Sequence, residues 1–110
     1  MNELKETADC LAELGNEIRL KIFRYLVRKG KKGTPVGDIQ KEMNIPNSTL
    51  SHHISKLAKA GLIVQERNGR ELLCQPQFDK LQSIVDYLVD ECCEGEQECL
   101  SLEKAQTKCC

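Results

Sequence analysis

Cysteine is the residue type in this chain whose number and spacing could do chemistry. The 110 residues contain seven cysteines, four of them in the adjacent pairs Cys92-Cys93 and Cys109-Cys110. Cys99 follows the first pair by six positions in a glutamate-rich stretch. The first residues, Met-Asn-Glu-Leu-Lys-Glu, do not resemble a secretory signal. Without such a signal we expect a cytoplasmic protein, and in the reducing cytosol clustered thiols indicate soft-metal binding or redox chemistry more than structural disulfides.

The geometry of a helix limits how these sulfurs could share one ion. Adjacent helical residues point about 100° apart, so Cys92 and Cys93 cannot bind the same ion within a regular helix. Gly95 lets the chain leave the helix, which would allow Cys92, Cys93 and Cys99 to converge. Three thiolates without histidine favour a soft, thiophilic ion. Trivalent arsenic matches three sulfurs, while cadmium, lead, bismuth and copper(I) stay open on sulfur count alone.

Charge is strongly segregated along the chain, although the net charge is only −1. Residues 19–70 contain twelve lysines and arginines and three acids, whereas residues 79–103 contain eight acids and one lysine. A basic middle of this kind is typical of a polyanion-binding surface. No apolar run approaches the roughly 20 residues that a membrane span needs, so we expect no membrane partner.

The elements that must position these residues follow from hydrophobic periodicity. Four helices are predicted, over 3–14, from an N-cap at Asn16, over 36–43, and from Asn47 or Ser48 to Gly61. Two strands, 62–66 and 71–75, flank an Asn-Gly hairpin signal. An amphipathic last helix begins at Phe78 and is predicted to end near Cys92-Cys93. We expect a domain over 1–93 and a flexible, acidic, cysteine-rich tail over 94–110.

Two short helices followed by a hairpin with a basic tip form a winged helix-turn-helix, a mainly α fold with a β-hairpin wing. In that fold the second helix enters the major groove with its N-terminal residues at the base edges. Lys56 lies one turn further along and suits a phosphate, and Arg67 and Arg70 flank the wing tip. The predicted DNA-binding residues are Asn47, Ser48, Thr49, Ser51, His52, Lys56, Arg67 and Arg70.

Three segments resemble the ArsR-type (arsenical repressor) winged-helix regulators over about residues 4–92. They are Leu14-Gly15-Asn16-Glu17-Ile18-Arg19-Leu20-Lys21-Ile22, Asn47-Ser48-Thr49-Leu50-Ser51-His52-His53-Ile54-Ser55-Lys56-Leu57 and Ala60-Gly61-Leu62-Ile63. The resemblance implies a homodimer, packed through the first and last helices, that represses an operon and releases DNA when an inducer binds. One departure is Pro46, because the family usually starts the recognition helix from a serine.

The resemblance also bears on the inducer. Some members of the family use a Cys-x-Cys pair in the helix before the recognition helix, where this chain has no cysteine. Others hold zinc with Asp and His on the last helix, which here lacks histidine. A subgroup carries a vicinal pair and a third cysteine at the end of the last helix. Resemblance to that subgroup implies arsenite, and with it antimonite, as inducer at Cys92, Cys93 and Cys99, without a permanently bound cofactor.

The final helix has a wide apolar stripe and no further layer in the sequence to cover it, which independently predicts a two-fold dimer on a palindromic operator. The alternative function is a thiol redox or reactive-sulfur sensor of the same fold. A thiol enzyme is rejected, because no Cys-x-x-Cys or phosphate loop occurs. Cys10 and Cys74 are expected to be packed thiols, and of His52 and His53 one is expected to face DNA and the other the body of the domain.

Overall fold

A computed structural model describes residues 2–90 of the protein, which form five helices and a three-stranded antiparallel sheet. This architecture confirms the predicted winged helix-turn-helix. The predicted thiol site at Cys92, Cys93 and Cys99 and the predicted tail over 94–110 lie outside the described residues. No helix within residues 2–90 has the length and apolar content needed to cross a bilayer.

The elements follow the chain in the predicted order. They are α1 (Glu3–Leu14), α2 (Glu17–Lys29), β1 (Thr34–Pro35), α3 (Val36–Met43), α4 (Asn47–Lys59), β2 (Ile63–Asn68), β3 (Glu71–Pro76) and α5 (Phe78–Val89). In the sheet β3 lies between β1 and β2, and Thr34 pairs with Cys74. Both hairpin strands are slightly longer than predicted because their pairing extends from Ile63 opposite Pro76 to Asn68 opposite Glu71.

Asparagine side chains begin the first two helices. The Oδ1 atom of Asn16 accepts from the backbone N–H groups of Ile18 at 2.9 Å and Arg19 at 3.1 Å, which confirms the predicted cap of α2. Asn2 accepts from Lys5 in the same way at 3.2 Å at the start of α1. Each bond satisfies N–H groups that have no partner inside the helix.

The core is aliphatic, as the composition predicts, and α2 runs through it. Ile22 and Leu26 of α2 are fully buried and pack with side chains from α3, α4 and the hairpin. The other large aliphatic side chains buried there are Ile39, Leu50, Ile54, Leu57, Leu62, Ile63 and Ile84. This core fixes α3 and α4 against α2, so their outward-facing residues are held on a rigid support.

The last helix is shorter than predicted. The apolar repeat predicts helix to near Cys92-Cys93, but α5 ends at Val89, because Asp90 has an extended backbone with ψ of 128°. The last turn of α5 contains no basic residue and is followed by Asp90 and Glu91. Negative charge is unfavourable at the negative end of a helix dipole, which accounts for the early end.

Candidate nucleic-acid interface

A three-residue turn, Asn44-Ile45-Pro46, sets α4 at an angle to α3. Asn44 is left-handed, with φ of 55° and ψ of 51°, and its N–H donates to the carbonyl of Gln40 at 2.8 Å. The side chain of Gln40 then donates to the carbonyl of Ile45 at 2.6 Å. Asparagine tolerates this conformation better than other non-glycine residues, so the turn is sharp without glycine.

Helix α4 starts directly after Pro46, which occupies the cap position with φ of −60° and ψ of 148°. Proline brings the chain in at a fixed angle but offers no side chain to bond the first-turn N–H groups. The departure from the family's usual serine therefore leaves the first turn of α4 without a side-chain cap. Such N–H groups suit a phosphate oxygen, which is also favoured by the positive end of the helix dipole.

Helix α4 is divided into a buried face and a polar face. Leu50, His53, Ile54 and Leu57 are buried. Among the predicted contacts, Asn47, Ser48, Ser51 and His52 are exposed, whereas Thr49 and Lys56 are half-buried. Two exposed residues, Ser55 and Lys59, extend the polar face and were not predicted. The spacing 48, 52, 55, 59 is the helical repeat that could have identified them.

An open groove of about 740 Å³ runs between α4 and α1. The α4 wall carries His52, Lys56 and Lys59, and the α1 wall carries acidic residues. Those acids are Glu6, Asp9 and Glu13, paired with Lys80 at 3.6 Å, Lys5 at 3.4 Å and Arg19 at 3.3 Å respectively. Within residues 2–90, Lys56 and Lys59 form no salt bridge, so their charges are available to a phosphate. The acidic wall marks the edge of this basic surface.

The wing ends in a two-residue loop, Gly69-Arg70, between the paired residues Asn68 and Glu71. Gly69 has φ of 66°, and Arg70 has no positive φ, which is the pattern of a type II′ turn. The Asn-Gly signal is thus shifted by one position, and Arg70 lies at the tip itself. Arg67 and Arg70 share a shallow groove with Lys41 of α3, a residue that was not among the predicted contacts.

The remaining cations of the basic middle lie elsewhere. Lys31, in the loop between α2 and β1, lines a recess with Pro76 and Phe78 at the other end of the hairpin from its tip. Lys29 lies over the ring of Tyr25 at 5.4 Å from its centroid. Five residue steps along β3, at about 3.3 Å each, put roughly 17 Å between the tip and this base loop, residues 30–33. Lys21, Arg24 and Arg28 line a further groove with Glu17 and Glu42. The structure therefore spreads the basic segment over several surfaces, and the wing tip is separate from the base loop.

The two adjacent histidines of α4 have different surroundings, as predicted. His52 is exposed, and His53 is buried, with Nη1 of Arg19 3.1 Å from its Nδ1 atom. Burial lowers the pKa of His53, and the nearby Arg19 charge and His52 lower it further. Arg19 in turn donates from Nε to the carbonyl oxygen of Glu13 at 2.8 Å.

The thiols in the described part of the chain are packed, as expected. Cys10 is 1% exposed, and its Sγ donates to the carbonyl of Ala60 at 3.3 Å. Cys74 is fully buried, and burial raises its pKa to about 11. Neither is placed to bind an ion from solvent. Over residues 2–90 no three Cys, His, Asp or Glu side chains gather into a metal site.

Comparison with known proteins agrees with this geometry. Residues 14–66 match the family model of a helix-turn-helix domain. Over 91 residues the chain is 30% identical to the HTH-type transcriptional regulator MJ1325 of Methanocaldococcus jannaschii, covering 83% of this chain and 99% of that protein. Over 67 residues it is 31% identical to an arsenical resistance operon repressor, ArsR, of Halobacterium salinarum, covering 61% of this chain and 51% of that protein.

Solved structures share the fold. The transcriptional repressor BigR from Xylella fastidiosa superposes with a TM-score of 0.63 and 26% identity, over 78% of this chain and 85% of that one. The homodimeric winged helix-turn-helix domain of Mb0332 from Mycobacterium bovis gives a TM-score of 0.64 and 24% identity, over 86% and 88% of the two chains. Fold and site together define a DNA-binding winged helix-turn-helix regulator.

The chain belongs to the HTH-type transcriptional regulators, as its 30% identity to MJ1325 over 99% of that protein shows.

Proposed function

We propose that the protein is a homodimeric repressor that binds a palindromic operator through α4 and the wing and releases it when Cys92, Cys93 and Cys99 capture arsenite or antimonite. The observation that carries the DNA-binding part is the uncapped, polar first half of α4 on a rigid core. Short polar side chains at the start of a recognition helix suit base edges, and Arg67 and Arg70 suit backbone phosphates.

Dimerisation through α1 and α5 is supported by apolar side chains that the folded chain leaves exposed. Leu4 of α1 is 62% exposed and Leu88 of α5 is 59% exposed, and Leu11 and Val85 are also exposed on these two helices. The two helices pack on each other, so a two-fold related copy could cover both at once. The homodimeric Mb0332 domain supports dimerisation.

The dimer is tested by light scattering after size exclusion. Leu88→Glu should give monomers, because it places a charge in the interface. Leu20→Glu on α2 is the matched control, since Leu20 is also exposed and apolar but lies on neither of these helices. A monomeric wild-type protein, or a Leu88→Glu variant that stays dimeric, would contradict the proposal.

The choice of inducer rests on the sequence and on the relative named as an arsenical resistance operon repressor. Arsenite in water is As(OH)₃, and each cysteine thiol that binds replaces one hydroxyl and releases one water. Three thiols complete the three bonds of arsenic with no change in its oxidation state. Helix α5 ends three residues before Cys92, so capture would act beside the proposed dimer helix. A coupling free energy of about 1–3 kcal/mol suffices for release, and it must act equally on both ligands.

Fluorescence anisotropy of a labelled operator, selected from random duplexes by the purified protein, tests this proposal. Arsenite under reducing conditions should release the wild-type protein but not the Cys92→Ser, Cys93→Ser or Cys99→Ser variants. The double variant Cys109→Ser/Cys110→Ser is the matched control and should still respond. Release of the Cys92→Ser variant by arsenite would refute the site. Release of the wild type by peroxide or sulfide, with no effect of arsenite, would instead establish the redox or reactive-sulfur sensor.

A further inference from the structure

The recognition helix makes a direct side-chain connection to the helices behind it. Arg19, the third residue of α2, is largely buried and lies between Glu13 at the end of α1 and His53 in the middle of α4. Its Nε atom donates to the backbone carbonyl of Glu13 at 2.8 Å, and its Nη1 atom lies 3.1 Å from Nδ1 of His53. Two side chains thus link three helices.

The chemistry of the pair fixes the protonation state of His53. Arginine has only donors, so the Nδ1 atom of His53 must accept, which requires a neutral ring with its proton on Nε2. A second proton on the ring would occupy Nδ1 and point at a guanidinium. The bond would then be replaced by repulsion between two cations. His53 therefore contacts Arg19 only in its neutral form.

We infer that Arg19 and His53 are a positioning pair for DNA binding, which holds α4 at the depth and rotation that operator contact requires and loses its hold when His53 is protonated. The inference rests on the proposed use of α4 to read DNA. Ser51 and His52, the exposed candidates for base contact, directly precede His53 on α4. A small rotation of the helix about this anchor therefore moves both.

The charged surroundings of His53 define the pH range. Arg19 from α2 and the neighbouring His52 act directly on the ring, while Glu13 of α1 pairs with Arg19. Strand β2, which also packs against α4, places the apolar Ile63 in the core. The wild-type affinity should therefore fall as the pH drops below the ordinary histidine range, about 6.5. The signature is the difference in pH dependence between the wild type and variants that differ from it only at His53.

The experiment compares wild type, His53→Gln and His53→Leu for operator affinity by anisotropy between pH 5.5 and 8 at constant ionic strength. Glutamine can still accept from Arg19 but does not titrate, so His53→Gln should match wild type at pH 7.5 and bind more tightly than wild type at pH 5.5. Leucine has no acceptor, and His53→Leu should bind about tenfold more weakly at pH 7.5. Long-range proton–nitrogen NMR on the wild type should show the Nε2–H tautomer of His53.

Equal pH profiles for wild type and His53→Gln would overturn the inference, and this comparison does not depend on the leucine variant folding. Wild-type affinity in a folded His53→Leu would overturn it as well. The proposed function fails by a different result, namely unchanged operator affinity in Ser51→Ala and His52→Ala. A loss in those two variants combined with no effect of His53 substitution would leave α4 as the reading helix and reject only the positioning pair.

Discussion

Removing charge at the wing tip should weaken DNA binding far more than removing the same charge at the base loop. The double variant Arg67→Gln/Arg70→Gln and the double variant Lys31→Gln/Lys32→Gln each remove two positive charges per protomer. Sequence alone assigns all four cations to one basic segment. The structure separates the tip from the base loop by the length of the hairpin, roughly 17 Å.

The expected magnitude follows from counterion release. Each phosphate contact that is lost reduces the slope of log K against log salt by about 0.9 on duplex DNA. A dimer loses four wing arginines, so the slope should become shallower by up to about 3.6. At 0.1 M salt the screening length is about 10 Å, shorter than the distance from the tip to the base loop. The base-loop variant should therefore change the slope by less than one.

The assay is anisotropy titration of a labelled duplex over a series of salt concentrations. Because the phosphate term does not depend on sequence, a duplex of arbitrary sequence serves as well as the operator. Equal changes of slope in the two double variants would refute the division of the basic segment. An unchanged slope in Arg67→Gln/Arg70→Gln would refute the role of the wing.

Three further outcomes concern stability and reactivity. Asn16→Ala removes the cap of α2 and should lower the free energy of unfolding by about 1 kcal/mol in urea denaturation. The loss should exceed that of Asn2→Ala at the exposed start of α1, and equal losses would contradict a larger contribution of the α2 cap. The fold lowers the pKa of His53, so the unfolded chain binds the proton first and the free energy of unfolding should fall as the pH drops below about 6.5. The contribution of His53 to this fall should vanish in His53→Gln, as measured by urea midpoints at pH 5.5 and 7.5. Burial raises the pKa of Cys74 to about 11, so iodoacetamide at pH 8 should label it only in denaturant, as read by peptide mass spectrometry, and labelling of the native protein would contradict this.

Periodicity and turn chemistry were sufficient for most of the fold. The apolar stripe of α2 and the cap at Asn16 predicted that helix because both are local signals. The turn before α4 and the hairpin were also predicted, since Asn44 and Gly69 tolerate the positive φ that these turns need and Pro46 fixes its own φ near −60°. The end of α5 was missed because apolar spacing continues past Val89, while the charge of Asp90 opposes the helix.

The site was harder to predict because it depends on contacts between distant parts of the chain. The exposure of His52 and the burial of His53 follow from which face of α4 meets the core, and sequence predicts only that the two rings diverge. The bond from Arg19 to His53 spans 34 residues and has no local signature. Likewise, sequence charge counts cannot separate the wing tip from the base loop, because only the pairing of β1 with β3 places that loop at the far end of the hairpin.

The Cys10 thiol donates a hydrogen bond to the carbonyl of Ala60, the residue that follows α4, and this bond has a mechanical consequence. Arg19 also contacts this helix near its middle, at His53, and bonds to Glu13 of α1. Two connections therefore join α4 to α1, one from Ala60 to Cys10 and one from His53 through Arg19 to Glu13. Helix α4 cannot move relative to α1 without breaking at least one of these connections. In the proposed dimer, the distance between the two α4 helices would therefore change through movement of one whole subunit against the other.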